Sequence, residues 1–274
     1  MLFTGLGVYG AAQVGVLRAL EEAGRPPDVL AGVETGAWVA GLYACLQDAG
    51  RVRDALARAC DMGRRLADAD RRSAAGMIRG ERLAALLDEQ TGRCALGNVP
   101  LALAIPALAL PTRKVLVFAS RTPADGGDLV WTRQASLALA IRAALAIPLL
   151  VRPAMWMGVP LLGCAGVGAA AQALTRLGAQ RVLVVHAYRQ RPRAPYGPLD
   201  IAALAAHGPE PSAPLPPAWQ AVSPRLPADV HPGSLGAFSL CVQAGYEAAL
   251  EALPRCTRAW GQAQGRVLPF QRRY

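Results

Sequence analysis

The first 48 residues alternate short apolar runs with amphipathic stretches, and this order constrains the fold more than any other feature. Residues 2–4 lead into a glycine-rich loop over 5–10, after which apolar residues recur at helical spacing over 11–23. Residues 29–33 predict a second, buried strand, and a sharp turn precedes a helix that starts near Gly36. Strands joined through a helix pair in parallel, so both strand ends should face the same edge of one sheet.

The rest of the 274-residue chain continues this alternation without a linker-like stretch, which predicts a single α/β domain over residues 1–274. Residues 190–230 differ, because they are rich in proline and lack periodicity. They predict a long surface excursion, with a short helix over 199–207. Further strands are predicted over 115–119, 158–162 and 181–185, and further helices over 51–60, 83–89, 134–144, 169–177 and 234–253.

The formal net charge is +10, and Lys114 is the only lysine, so nearly all of the positive charge is arginine. A basic face could meet an anionic membrane, or the excess could reflect an arginine-rich composition throughout. Aromatic residues make up only 5% of the chain, and no recognition helix or stacking pattern is present. Nucleic-acid binding is therefore not indicated.

The six cysteines are widely spaced, without a C-x-x-C pair or a nearby histidine. This spacing argues against a metal site and a disulfide framework, and we expect no metal, no cofactor and mostly buried thiols. The N-terminal residues lack the basic stretch of a signal peptide, so a cytoplasmic location is expected. The uncharged stretch 154–175 contains Pro160 and several glycines, and it predicts a buried strand and helix rather than a membrane span.

Several segments form a recognisable series: the glycine loop, residues 13–24, 27–32 and 36–37, then 141–144 with 147–148, 177–179 with 182–185, and 243–249. In this order they resemble the patatin-like phospholipase family. The resemblance implies a three-layer α/β/α fold with a mainly parallel central sheet and the activity of a lipid acyl hydrolase. It also implies a Ser–Asp dyad, with the serine in a G-x-S-x-G elbow, the aspartate in a D-G-[GA] segment and a glycine-rich oxyanion loop upstream.

Both residues of the implied dyad are absent. Glu34 stands where the serine should be, in the segment Gly32-Val33-Glu34-Thr35-Gly36, and no serine precedes Ser73. A shift to Thr35 would turn the side chain away from the active face of an elbow. Leu162 falls at the aspartate's place, and no acid occurs between Asp128 and Asp200.

The implied oxyanion loop also departs from the family's pattern of three glycines, a variable residue, a basic residue and a glycine. Leu6 replaces the middle glycine, and Tyr9 replaces the basic residue. A Cβ at Leu6 is expected to cause strain if the backbone needs a positive φ there. The positions of this loop are Gly5, Leu6, Gly7, Val8, Tyr9 and Gly10.

Glu34 has three interpretations. As a structural plug, it would fill the old oxyanion pocket and accept N–H bonds from the glycine loop at a helix N-terminus. It could instead act as a catalytic nucleophile or base, or lie exposed in solvent. A second alternative chemistry would pair Cys164 with His186, although a packed core thiol and a strand-end histidine are the simpler explanation.

The residues therefore favour a non-hydrolytic relative of the family, cytoplasmic or at the periphery of a membrane, that binds an acyl lipid or a protein partner. The apolar segments 99–111 and 146–162 could line an acyl pocket, or could simply pack in the core. One alternative is a divergent hydrolase that uses Glu34 or the Cys164–His186 pair. Another is a structural subunit that pairs with an active relative.

Overall fold

The computed structural model describes residues 1–69, 78–110, 112–163, 166–188 and 218–261, with the backbone alone for Arg64 and residues 257–261. Nine strands and seven α-helices lie in these residues, joined by 3-10 turns that include Gly7–Gly10 and Leu235–Ala237. The strands are β1 Leu2–Gly5, β2 Val29–Glu34, β3 Ala102–Ala109, β4 Lys114–Ala119, β5 Val130–Thr132, β6 Ala154–Trp156, β7 Val159–Leu162, β8 Val182–Ala187 and β9 Trp219–Val222. The helices are α1 Ala11–Glu22, α2 Thr35–Leu46, α3 Ala49–Met62, α4 Glu81–Gln90, α5 Leu137–Ala144, α6 Gly166–Arg176 and α7 Phe238–Gly261.

The strands form one sheet in the order β5-β4-β3-β2-β1-β8-β9. Parallel pairs join β3 to β2, β2 to β1, β1 to β8, β8 to β9 and β4 to β5. Antiparallel pairs join β3 to β4, and the hairpin β6–β7 to the far end of β3. The sheet is therefore mainly parallel, as predicted. Its carboxyl edge is where Gly5, Glu34, Ala109 and Ala187 end their strands.

Helices cover both faces of the sheet, so the predicted three layers are present. Consecutive residues of β1 illustrate this, since side chains alternate between faces: Phe3 packs under α1, α2 and α7, whereas Leu2 packs under α6. On the α6 side, Ala170, Ala173 and Leu174 face the sheet. The larger core lies on the other side, between the sheet and the remaining helices.

Glycines set the close packing of α1 against α7. A Cβ built on Gly15 would lie 1.9 Å from the carbonyl oxygen of Val242, and one on Gly245 would lie 1.8 Å from that of Ala12. Real side chains do not approach so closely, so the two helices pack at this distance only because both positions lack a side chain.

Several sequence-based expectations differ from the structure. Within the proline-rich stretch 190–230, Trp219–Val222 is not a surface excursion but edge strand β9, while the helix expected over 199–207 lies outside the described residues. The helix expected over 134–144 starts at Leu137, because the Ser136 hydroxyl accepts the Leu139 N–H at 3.1 Å and caps it. In the described part of the chain, no helix combines the length and apolarity that a bilayer span requires.

The stretch 154–175 also differs from its predicted form. Instead of a buried strand and a buried helix, it contains the hairpin β6–β7 and the amphipathic helix α6. Met155 on β6 is 57% exposed, and only one side chain of β7, Leu161, is buried. The stretch is therefore a surface hairpin followed by a helix with one buried face.

Candidate functional site

Glu34 occupies the turn between β2 and α2, at the carboxyl edge. Its backbone has φ 54° and ψ −128°, a conformation that costs a residue with a side chain about 1–3 kcal/mol. The side chain is only 1% exposed. The interpretation of Glu34 as a solvated surface residue is therefore wrong, and the strained turn directs a carboxyl group into the protein.

Three glycines allow this turn to be so tight. A Cβ on Gly32 would lie 2.3 Å from the Gly36 carbonyl oxygen, and one on Gly36 would lie 2.3 Å from that of Phe3. A Cβ on Gly10 would lie 2.4 Å from Cγ2 of Thr35. The turn packs directly on β1 and on the glycine loop, so these positions exclude any larger residue.

The glycine loop takes a conformation that the leucine does not disturb. Leu6 has φ −116° and ψ 134°, which is ordinary extended backbone, and the positive φ of 56° falls on Gly7. A Cβ on Gly7 would lie 2.2 Å from the carbonyl oxygen of Pro232. The strain expected at Leu6 is therefore absent, and glycine is needed one residue later.

The interpretation of Glu34 as a structural plug requires N–H groups of the glycine loop to donate hydrogen bonds to it. Val8 donates its N–H to Pro232 at 2.8 Å, and Tyr9 donates to Leu6 at 3.2 Å. The Tyr9 hydroxyl donates to the carbonyl of Val230 at 2.7 Å. Two of the donors expected for Glu34 thus have other acceptors, and Tyr9 fastens the loop to residues 230–232.

Tyr188 supplies a donor that sequence reasoning missed. Its hydroxyl donates to Oε2 of Glu34 at 2.7 Å. Its ring contacts that of His186 edge-on, with centroids 5.2 Å apart, and Nδ1 of His186 lies 2.6 Å from Oγ1 of Thr4 in a hydrogen bond. The position of Tyr188 in the sequence could have indicated this contact. Tyr188 directly follows β8, whose carboxyl end lies at the same edge as that of β2.

The other predicted site residues have different outcomes. Cys164 lies outside the described residues, so its pairing with His186 stays a prediction.

Leu162 ends β7 and pairs with Leu108 of β3. The pairing of β2 with β3 ends at Ala31 and Ala104, three residues before Glu34, and Leu162 pairs four residues farther along β3. Glu34 and Leu162 therefore approach the same edge from opposite directions.

A cavity of about 220 Å³ adjoins Glu34. Glu34 is the one charged residue among the described residues that line it, and Thr35 also lines it rather than turning away. The segment 99–111 forms β3 in the sheet and does not line the cavity, whereas Ile147 of the segment 146–162 does. Apolar walls come from the glycine loop, helices α1 to α4, the residues after α5, and the start of α7 with the residues before it, among them Leu6, Val8, Trp38, Leu56, Ala59, Leu83, Leu145, Leu235 and Phe238.

Besides Glu34, the cavity wall includes the indole group of Trp38 and the thiol of Cys60. Nε1 of Trp38 donates to Oε1 of Gln90 at 2.9 Å, and Gln90 does not line the cavity. Burial, and secondarily the nearby Asp61, raises the pKa of the Cys60 thiol, which lines the cavity and so stays protonated at neutral pH. Among the described residues, no group of three His, Cys, Asp or Glu side chains could hold a metal ion. The site is an apolar chamber with one carboxyl group at its wall.

A family model described as Patatin-like phospholipase matches residues 1–162, which is more than half of the chain and contains both Glu34 and Leu162. The chain belongs to the patatin-like phospholipase family. Its resemblance to the Lysophospholipase nte1 proteins of Emericella nidulans and Neurospora crassa is local, with 50% and 48% identity over 44 residues. Those residues are 16% of this chain and only 3% of the length of each relative.

A solved structure supports the patatin-like fold over nearly the whole chain. The crystal structure of VipD from Legionella pneumophila aligns with a TM-score of 0.57 and 12% sequence identity. The alignment covers 93% of this chain and 66% of that one. At this identity the likeness concerns the fold alone.

Proposed function

We propose that this patatin-like protein binds a single-chain acyl lipid in the cavity beside Glu34 and does not hydrolyse it. The observation that carries the proposal is the apolar cavity of about 220 Å³ whose single charged lining residue, among those described, lies at the β2–α2 turn. Pockets for drug-sized ligands usually measure about 300–1,000 Å³. A smaller apolar chamber suits one acyl chain better than a two-chain phospholipid.

Glu34 and Leu162 support the absence of hydrolysis. A serine nucleophile attacks an ester after a base removes its proton, and the side chain of Leu162 cannot act as a base. A carboxylate such as Glu34 would form an anhydride on attacking an ester, which is less favourable than the ester that serine forms. Carboxyl oxygens can instead accept hydrogen bonds from the hydroxyl groups of a lipid head.

The relatives suggest which lipid to test first. The fungal proteins with local identity are named lysophospholipases, and a lysophospholipid carries one acyl chain and a free glycerol hydroxyl. Such a ligand would place its chain along Leu56, Ala59 and Phe238, with its hydroxyl near Glu34.

A binding titration with a fluorescent lysophosphatidylcholine tests the proposal. Ala59→Leu adds three carbons within the cavity and should weaken binding by about tenfold or more, because the ligand loses that volume. Ala57→Leu is the matched control, since Ala57 lies two residues away on α3 and does not line the cavity. Equal affinities for wild type and Ala59→Leu, or no binding by wild type, would overturn the proposal.

A divergent hydrolase is the second candidate, because Glu34 lines the cavity and would lie near an ester bound there. In that case Glu34 would act as the base for a water molecule. We expect no turnover of p-nitrophenyl esters of several chain lengths. Turnover that Glu34→Gln or Cys164→Ala abolishes would establish the hydrolase instead. If neither turnover nor lipid binding is detected, a structural subunit that pairs with an active relative would be favoured.

A further inference from the structure

Three large apolar side chains are exposed within nine residues of one another. Leu149 is 81% exposed, Met157 is 77% exposed, and Met155 is 57% exposed. In the described part of the chain only seven large hydrophobic side chains are exposed, so nearly half of them fall in this short segment. We call Leu149, Met155 and Met157 the apolar tip.

The backbone at two of these residues disfavours large side chains. Leu149 has φ 66° and Met157 has φ 48°, both in the left-handed region that favours glycine and asparagine. Met157 and Gly158, with φ 79°, form the two-residue turn between the paired residues Trp156 and Val159. Asn-Gly is the preferred sequence for such a turn. Neither side chain gains core packing, so stability does not explain why apolar residues stand there.

The apolar tip lies at the carboxyl edge, beside the cavity. β7 runs antiparallel to β3, so the turn that precedes β7 extends beyond the end of β3. Leu149 follows Ile147 by two residues, and Ile147 lines the cavity. The apolar tip and the cavity therefore share one end of the molecule.

Positive charge flanks the apolar tip. Arg113 and Lys114 are exposed at the turn between β3 and β4, and the Leu110 N–H donates to the Pro160 carbonyl at 2.9 Å, which ties this turn to β7. Residues 90–124 and 129–199 contain no Asp or Glu. The hairpin and the two strands beside it thus carry only basic charge, on a chain whose net charge is +10.

We propose that the apolar tip inserts into an anionic phospholipid bilayer, with Arg113 and Lys114 at the level of the lipid phosphates. Apolar insertion and electrostatic attraction reinforce each other, and stable binding to a membrane surface usually needs both. In this orientation the end of the molecule that holds the cavity faces the bilayer. The inference is independent of whether the cavity holds a lipid, because it concerns the outer surface alone.

Vesicle flotation tests the apolar tip. Wild type should float with vesicles of phosphatidylglycerol and phosphatidylcholine in equal parts. The double variant Leu149→Asn, Met157→Asn should bind at least about tenfold more weakly, because the inserted area is lost. Asparagine tolerates a positive φ, so the melting temperature should stay the same or rise. Leu250→Asn is the matched control, because Leu250 is 47% exposed on α7, which packs on α1 and β9.

Two further measurements distinguish binding to anionic lipid from contact with another protein. Arg113→Asn with Lys114→Gln should reduce binding to the anionic vesicles by about tenfold and leave weak binding to pure phosphatidylcholine unchanged. The proposal would be overturned if wild type does not float with the anionic vesicles, or if the Leu149→Asn, Met157→Asn variant floats as well as wild type. The proposal would also be overturned if wild type forms a dimer without lipid and the Leu149→Asn, Met157→Asn variant does not. The apolar tip would then contact a second copy of the chain.

Discussion

The Tyr188 hydroxyl donates a 2.7 Å hydrogen bond to Oε2 of Glu34, a residue 154 positions earlier in the sequence. Gly5 of β1 pairs with Glu34 on one side and with Ala187 on the other, so Tyr188 reaches across the end of β1. A carboxyl group that is 1% exposed has lost most hydrogen bonds to water. The tyrosine replaces part of that solvation and joins three strands at the carboxyl edge.

Tyr188→Phe is expected to lower the free energy of unfolding by about 1–3 kcal/mol, because it removes a donor to a buried carboxyl group. Urea unfolding of both proteins measures the difference. In a Glu34→Ala background the same change should cost much less, since its acceptor is gone. An equal cost in both backgrounds would assign the loss to packing of the ring. An unchanged or higher melting temperature for Glu34→Ala would contradict a structural role for the carboxyl group.

Gly36→Ala is expected to destabilise the protein by about 1–3 kcal/mol or more, because the new methyl group would meet the Phe3 carbonyl oxygen at 2.3 Å. Gly168→Ala is the matched control in α6, where a Cβ meets nothing within 4 Å. That change should stabilise the helix by about 0.5–1 kcal/mol. Thermal unfolding of both variants checks the pair, and similar melting temperatures would show that the turn has room to relax.

The opening of the chain could be predicted because its signals are local. Helical periodicity and the glycines around the two strands give β1, α1, β2 and the turn at Glu34 within a residue or two. Strand β3 could not be predicted in the same way. It is buried in the sheet, so residues 102–109 lack alternation, and they include Pro106, a residue that central strands seldom contain.

The remaining misses depend on contacts between distant residues. β9 has four residues and, among the described strands, pairs only with β8, after a stretch whose sequence is rich in proline. The hairpin turn at Met157-Gly158 lacks the usual Asn-Gly signal. The departure of residues 34 and 162 from the family pattern is visible in the sequence, but the partner of Glu34 and the cavity beside it are tertiary features.

Cys60 is expected to react slowly with N-ethylmaleimide at neutral pH, because burial and Asp61 raise the pKa of its thiol and reduce the thiolate fraction. The rate should rise with pH. A lysophospholipid in the cavity should slow the reaction further at Cys60 but not at Cys94, which does not line the cavity. Peptide mapping by mass spectrometry resolves the two sites. Equal protection of both, or none at Cys60, would contradict ligand binding in this cavity.

Asp68 is expected to contribute stability that depends on pH. Burial would raise the pKa of Asp68, but backbone hydrogen bonds, among them those from Gly80 at 2.6 Å and Glu81 at 2.8 Å, outweigh burial and lower it. With the folded pKa below the unfolded one, this stability is present above the unfolded value and is lost as pH falls through the folded value.

Asp68→Asn should therefore be less stable than wild type at pH 7 by about 1–2 kcal/mol, and the difference should shrink below about pH 4. Urea unfolding across this range provides the measurement. Asp125→Asn is the control, since the Asp125 side chain is 76% exposed and its loss should matter less. A difference that persists undiminished at low pH would assign the effect to geometry rather than charge.

Restoring a dyad asks whether the scaffold still supports hydrolysis. The backbone of residue 34 already has φ 54° and ψ −128°, the cavity lies beside it, and β2 and β7 approach the same edge along β3 from opposite directions. Glu34→Ser with Leu162→Asp should therefore hydrolyse p-nitrophenyl octanoate at least about tenfold faster than wild type, while each single change should not, because the hydroxyl needs a base. A folded double variant as inactive as the single ones would show that residue 162 is not the base position. The departure from the family pattern would then extend beyond the two side chains to the arrangement of the carboxyl edge.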